Sequence, residues 1–178
     1  MKRGSFSPVW VLLFLLCIPP LIFGQGITRL SSSQSTGIQP LNAGLTEDGT
    51  YSGQTASITA GEAVLFGDVL VKKADGEYYK TDADATSTMP AMVVALEGKG
   101  DGEACVVLIR GWVCETDWNW TVGDGQANLL YPDDAAAGGL VQHAGKPGDT
   151  GDQLQVVGYA ESADCIYFNP SYVLVEVK

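Results

Sequence analysis

The sequence has little of what most enzymes need for catalysis. It contains one histidine, His143, in 178 residues, which argues against most zinc enzymes, serine–histidine hydrolases and histidine acid–base catalysts. It also lacks a G-x-S-x-G elbow, a P-loop, an H-E-x-x-H pair and a C-x-x-C pair. We therefore predict that the protein is not an enzyme and uses no cofactor.

Basic residues are scarce, and so is charge in general. Lys and Arg number 10 against 21 Asp and Glu, the formal net charge is −11, and only 17% of residues are charged. A surface of this sign repels phosphate, so nucleic-acid binding through a basic face is excluded. Apolar residues make up 46% of the chain, which is enough to bury a core and excludes wholesale disorder.

Residues 1–24 differ in character from the rest of the chain. Two basic residues precede an uncharged, largely apolar run over residues 9–23, shorter than the about 20 residues that a membrane-spanning helix needs. This pattern is typical of a secretory signal peptide, with cleavage predicted after Gly24. The mature protein would be extracellular, with a net charge of −13 and no stable membrane anchor. A retained anchor and a pilin-type leader cut after Gly4 are the alternatives.

Residues 25–53 are rich in Ser, Thr, Gly, Gln and Asn and are predicted to form an extended N-terminal arm. The arm has too little apolar surface to fold alone, but isolated aliphatic side chains punctuate it. Because an extended segment can pair with an open strand edge of a neighbour, we predict that these side chains mediate assembly. A flexible spacer is the alternative. The predicted assembly residues are Ile27, Leu30, Ile38, Leu41 and Leu45.

Residues 54–178 are predicted to form one β domain. Short apolar runs alternate with Gly- and Asp-rich turns, and no window shows a helical apolar stripe. We expect an all-β fold, a compact small barrel or sandwich of short antiparallel strands. Each half has a Thr-x-Gly-acid opening (Thr59, Thr121), a hairpin, a Val-Val strand (93–94, 156–157) and a further apolar strand. Two pseudo-repeats or coincidence in a β-rich chain would explain this order.

Three cysteines follow the predicted signal peptide. If Cys105 and Cys114 lie on one strand, about 30 Å separates them, so they cannot bond to each other. Cys165 can pair with either, which leaves one thiol over. In an exported protein such a thiol is buried or forms an intermolecular bridge.

Aspartates in predicted turns are weak candidates for a calcium site, because calcium prefers carboxylate and carbonyl oxygens. The spacing of an EF-hand is missing, and acidic turns are usually only solvated, so we predict no metal site. The candidates are Asp75, Asp82 and Asp84, with Asp149 and Asp152 as a second set.

A tryptophan group is the remaining candidate. Trp112, Trp118 and Trp120 are predicted to form an aromatic anchor, either in the core or between subunits; with Tyr131, a sugar-binding platform is the alternative. Residues 119–121 are also an N-glycosylation sequon. The tryptophans within and beside it are expected to pack, which argues against an attached glycan.

Several short runs, taken in their order along the chain, carry a family resemblance. They are AGEAVLFGD (60–68), ADG (74–76), KTDADA (80–85), MPA (89–91), RGWV (110–113), WNWTVG (118–123), GGL (138–140), GDQLQVVG (151–158) and IYFNPS (166–171). Together they resemble the small β modules of tailed-phage structural proteins, the capsid-decoration or cement class, over residues 44–177. The resemblance implies a non-enzymatic module that self-associates or coats an assembly. An export signal and the cysteines are not part of that pattern, which points to a cellular, exported use of the module.

These observations predict a non-enzymatic structural subunit that binds copies of itself. We expect an extracellular filament, sheath or surface coat, assembled by exchange of the N-terminal arm between subunits. A virion decoration protein of a tailed phage, located on the virion surface, is one alternative. A secreted carbohydrate-binding module that uses the tryptophan group is the second.

Overall fold

The computed structural model describes residues 41–178. The predicted signal peptide and three predicted assembly residues, Ile27, Leu30 and Ile38, lie outside the described residues. Within 41–178 the chain is all-β, as predicted, with only short 3-10 turns between antiparallel strands. In this range no helix has the length and apolar character needed to cross a membrane.

The strands are short, apart from two. β1 begins three residues before the predicted domain boundary, so the end of the predicted arm belongs to the β domain. In chain order the strands of the described part are β1 (Tyr51–Thr59), β2 (Val69–Lys72), β3 (Tyr78–Lys80), β4 (Val93–Ala95), β5 (Ala104–Cys114), β6 (Leu129–Pro132), β7 (Leu140–Gln142), β8 (Gln153–Leu154), β9 (Gly158–Ala160), β10 (Cys165–Phe168) and β11 (Val175–Glu176).

Nine strands form one curled antiparallel sheet, and β8 pairs with β11 in a separate two-stranded sheet. The order of the large sheet is β3-β2-β4-β5-β10-β9-β6-β7, with β1 added to β5. Its two halves match, because each places a hairpin (β2–β3 or β6–β7) outside, a middle strand (β4 or β9) next, and a final strand (β5 or β10) at the centre. This repeated order favours the two pseudo-repeats over coincidence.

β5 organises the sheet because both of its sides are paired. On one side, β1 pairs with almost the whole length of β5. On the other side, β4 pairs with the middle of β5 and β10 pairs with its C-terminal end. Gly53 faces Gly111 across β1 and β5. A Cβ atom on Gly111 would overlap the Ser52 carbonyl oxygen, so this close strand approach requires glycine. Phe168 pairs with both Gly111 and Gly158 and is fully buried.

Alternate side chains of β5 supply two hydrophobic clusters, as the two-residue period of a strand demands. Leu108 and Val113 belong to a cluster with Phe168 that contains buried residues of both halves. Cys105 and Val107 belong to a second cluster within the first half. The parity of the inward residues changes along β5 because the register with β1 shifts between Gln54 and Thr55.

A disulfide joins the two halves at the centre of the sheet. Cys114, the last residue of β5, is bonded to Cys165, the first residue of β10. Cys105 lies on the same strand as Cys114, is not bonded to it, and is a buried free thiol. These placements agree with the prediction that Cys105 and Cys114 do not pair. Burial is the main cause that raises the pKa of the Cys105 thiol.

Candidate functional site

The outer edge of β1 is the longest open strand edge in the described part of the chain. β1 has nine residues and pairs only with β5. Just after β1, the backbone of Ala60 faces the partner strand: its N–H donates to the Glu103 carbonyl (2.9 Å), and its carbonyl accepts from Gly102 N–H (2.7 Å). Along an antiparallel strand, residues whose backbone groups bond to the partner alternate with residues whose backbone groups point away from it. Counting back from Ala60, the backbone N–H and carbonyl of Ser57 point away from β5.

The sequence of β1 does not protect this edge. Native sheets discourage pairing at an exposed edge with charged side chains, proline or a very short strand. β1 reads YSGQTASIT, with no charged residue and no proline. Ala56 and Ile58 are half-buried against the second cluster, whereas Thr55, Ser57 and Thr59 are exposed. A strand added beside β1 would therefore find unused backbone partners next to an apolar cluster.

The described chain begins near the first residues of β1. Asn42 N–H donates to the Ser52 hydroxyl (2.8 Å), near the start of β1. The following residues are fastened to the end of β5: Gly49 N–H donates to the Cys114 carbonyl (3.0 Å), and the Asp48 carboxylate accepts from Thr116 N–H (2.9 Å). The Thr116 hydrogen bond is the main cause that lowers the pKa of Asp48. Residues 42–49 thus lie near the N-terminal end of β1 and the C-terminal end of β5.

Two of the predicted assembly residues fall in the described range. The Leu41 side chain is 47% exposed. Leu45 is half-buried, and its carbonyl oxygen lies 3.4 Å from the Cys165 sulfur. Because a disulfide sulfur carries no proton, this is a packing contact. Leu45 therefore packs against the β domain, whereas Leu41 is exposed to solvent.

The three predicted anchor tryptophans do not form one group. Trp118 and Trp120 pack against the first hydrophobic cluster, with ring centroids 5.7 Å apart. Trp112 lies on β5, opposite Tyr167. Tyr131 is also separate; it is buried, and its hydroxyl lies 3.1 Å from His143 Nδ1. The Trp118–Trp120 pair thus has a core role.

Trp112 instead belongs to an aromatic row across three adjacent strands. Tyr167 faces Trp112 on one side and Tyr159 on the other, with ring centroids at 4.5 and 5.4 Å. The residues beside each ring along its strand are buried, so the rings point away from the core. Arg110 Nε donates to the Tyr167 hydroxyl (2.9 Å). The Trp112 indole N–H is shielded and has no acceptor among the described residues.

The first candidate calcium set is split by the fold. Asp75 lies in the β2–β3 turn, where its carboxylate accepts from the Tyr79 hydroxyl (2.8 Å) and from Glu77 N–H (3.0 Å). The bond to Tyr79 is the main cause that lowers the pKa of Asp75 and raises the pKa of Tyr79 to about 12. These bonds give Asp75 a structural role in the hairpin.

A different carboxylate group does come together. Oxygens of Asp84, Asp134 and Asp152 lie within 4.8 Å of one another. The charge of Asp82 is the main cause that raises the pKa of Asp84, and burial followed by the charge of Asp152 raises the pKa of Asp134. Only Asp84 of the three is exposed, and we assign no metal to this group.

The sequence prediction missed the two features that matter most here. β1 contains only scattered apolar residues, and the signal that could have identified it is the alternation of Ala56 and Ile58 with Ser and Thr. The sequence does not distinguish Tyr159 and Tyr167, because a row of rings across strands is visible only once the strand register is known. Comparison of the chain with protein-family models, curated proteins and solved structures finds no match.

Proposed function

We propose that the protein is a non-enzymatic structural subunit, exported from the cell, that assembles with copies of itself into a filament, sheath or surface coat. The arm of one copy pairs as an added strand with the outer edge of β1 in the next. The observation that carries the proposal is this edge, which is nine residues long and has no charged residue or proline.

The place where the described chain starts is compatible with exchange between copies. Asn42 lies beside the Ser52 side chain, near the start of β1. Residues 25–40 supply sixteen residues, or up to about 50 Å when extended, more than the about 30 Å that nine strand residues span. Aliphatic residues on such a strand would enlarge the cluster that Ala56 and Ile58 already contact. A head-to-tail contact of this type gives an open polymer, or a ring where the rotation between successive copies closes.

Deletion of residues 25–40 from the mature chain tests the proposal. We expect the intact mass of the mature protein to correspond to a chain that begins at Gln25. This protein should form large particles in light scattering and electron microscopy. The truncated protein should stay folded and monomeric, because the bonds of Asp48 and Gly49 to the body remain. Adding residues 25–40 back as a peptide should give saturable binding. A truncated protein that assembles like the mature chain would rule out the arm as the linking element.

The aromatic row supports carbohydrate binding as a second candidate function. Outward-facing rings provide apolar surface for a sugar face, and Arg110 forms no ion pair with a described carboxylate, so it is free to bind an acidic sugar. Polysaccharide binding in affinity electrophoresis should weaken about tenfold in Tyr159→Ala. Tyr172→Ala, at a 68% exposed tyrosine outside the row, is the control. Equal migration of both variants and the parent would remove this candidate.

A further inference from the structure

The loop that follows β5 contains the sequon Asn119-Trp120-Thr121, and the fold presents it differently from what its sequence suggests. Trp118 and Trp120 pack into the first hydrophobic cluster, as expected. Asn119 and Thr121 are exposed. The two tryptophans therefore anchor the loop to the hydrophobic cluster, and Asn119 and Thr121, which define the sequon, are exposed to solvent.

The backbone of the loop is held at two points, both of which leave the sequon side chains free. Trp120 N–H donates to the Ala163 carbonyl (2.8 Å). The Gln142 side-chain amide clamps Thr121, since its oxygen accepts from Thr121 N–H and its nitrogen donates to the Thr121 carbonyl, both at 2.9 Å. Neither contact uses the Asn119 amide or the Thr121 hydroxyl. A substitution of either side chain therefore leaves these anchors in place.

We propose that Asn119 is an N-glycosylation site of the exported protein. The inference rests on the export that the proposed function includes. The donor is an oligosaccharide linked to a polyprenyl pyrophosphate. A bond forms between Asn119 Nδ2 and C1 of the first sugar, and the bond from C1 to the pyrophosphate oxygen breaks. The polyprenyl pyrophosphate leaves with that electron pair, and the amide proton passes to a base of the transferase.

The chain carries its own negative control. Asn169 is followed by Pro170 and Ser171, and proline at the middle position disqualifies a sequon. The remaining asparagines, Asn42 and Asn128, are not followed two residues later by Ser or Thr. One glycan, at Asn119, is therefore the full expectation for this sequence.

The test expresses the full chain in eukaryotic secretory cells and measures intact mass before and after treatment with a peptide-N-glycosidase. We expect one glycan on the parent chain, its loss in Asn119→Gln and in Thr121→Ala, and its retention in Thr121→Ser. A merely structural role of Thr121 would not separate Ala from Ser in this way. Circular dichroism checks that each variant is folded.

A second expression with a heterologous signal peptide separates the site from export. A chain that reaches the lumen by either route and carries no glycan overturns the inference, as does a glycan that survives Asn119→Gln. A chain that stays in the cytosol with its own N-terminus but is glycosylated with the heterologous one supports the site and contradicts export. Removing the clamp with Gln142→Ala should leave occupancy equal or higher, since the loop becomes easier to reach.

Discussion

β1 and β3 both lie at open ends of strand pairing in the same sheet, but the chain treats their outer sides in opposite ways. β3 is three residues long, and the segment that follows β1 covers it: Gly61 N–H donates to the Tyr78 carbonyl (2.8 Å), and the Glu62 carboxylate accepts from Lys80 N–H (2.7 Å). β1 is nine residues long and has no such cover among the described residues. The comparison shows that the fold pairs the outer backbone groups of β3 with its own chain, whereas those of the longer strand β1 stay available to another strand.

The two edge strands also differ in charge. β3 ends in Lys80, whose ammonium group lies 3.2 Å from the Asp68 carboxylate, while β1 has no charged residue. Lysine at an edge opposes the addition of another strand. In a protein of net charge −11, an uncharged strand adds no charge repulsion of its own against a second copy.

The largest expected effect is on assembly, from Ser57→Pro. The Ser57 N–H faces outward, so proline removes a donor that β5 does not use, and proline is tolerated on the outer side of an edge strand. We expect assembly to be lost in light scattering, with stability reduced by less than about 1 kcal/mol. Ala56→Pro is the contrasting control, because the Ala56 N–H faces β5 and its loss should destabilise the body. Undiminished assembly of Ser57→Pro would contradict the role of this edge.

The next largest effect is on the stability of the sheet to which β1 and β3 belong. Replacing Cys114 and Cys165 with serine opens a loop closed over 51 residues, and chain entropy then predicts a loss of about 4 kcal/mol in the free energy of unfolding. Urea denaturation measures this loss. Cys105→Ala, which removes a buried thiol outside the bond, is the control and should cost less. A double variant as stable as the parent would show that packing alone joins the two halves.

A smaller effect should follow from uncovering β3. Glu62→Ala leaves the Lys80 N–H without its charged acceptor, and such a bond contributes about 2 kcal/mol. We expect that loss in urea denaturation, with no change in assembly, because a three-residue edge offers few backbone partners. Glu176→Ala, an exposed residue of the two-stranded sheet, is the matched control. Any new aggregation of Glu62→Ala would instead mean that the cover protects β3 from intermolecular pairing.

The smallest effect is expected in the Asp84–Asp134–Asp152 group, which takes no part in the strand pairing of β1 or β3. The pKa of Asp134 is raised in the fold, so its stabilising contribution is complete at low pH and is lost as pH rises through the folded value. Asp134→Asn should therefore raise stability at pH 7 by roughly a few tenths of a kcal/mol, and the gain should vanish below about pH 4. Thermal melts at both pH values, with Asp101→Asn in an exposed turn as control, measure it. A loss of stability at pH 7 would show that the carboxylate is needed.

The sequence predicted the all-β class and the separation of Cys105 from Cys114, because these depend on local patterns and strand length. It left the repeated order open between duplication and coincidence, and the strand expected at 156–157 lies instead at Gly158–Ala160. It did not predict β1, where apolar residues are sparse and pairing with β5 supplies the order. It grouped Trp112 with Trp118 because they are close in sequence. The fold places these two residues in different surroundings, which only the strand register determines.

Amide hydrogen exchange on β1 tests the central claim most directly. In the arm-deleted monomer, the outward amides of Thr55, Ser57 and Thr59 should exchange quickly, whereas those of Ala56 and Ile58 should be protected by β5. In the assembled mature protein we predict that the three outward amides become protected by more than about tenfold, with little change at the other two. Outward amides that exchange as fast in the assembly as in the monomer would contradict strand addition at this edge.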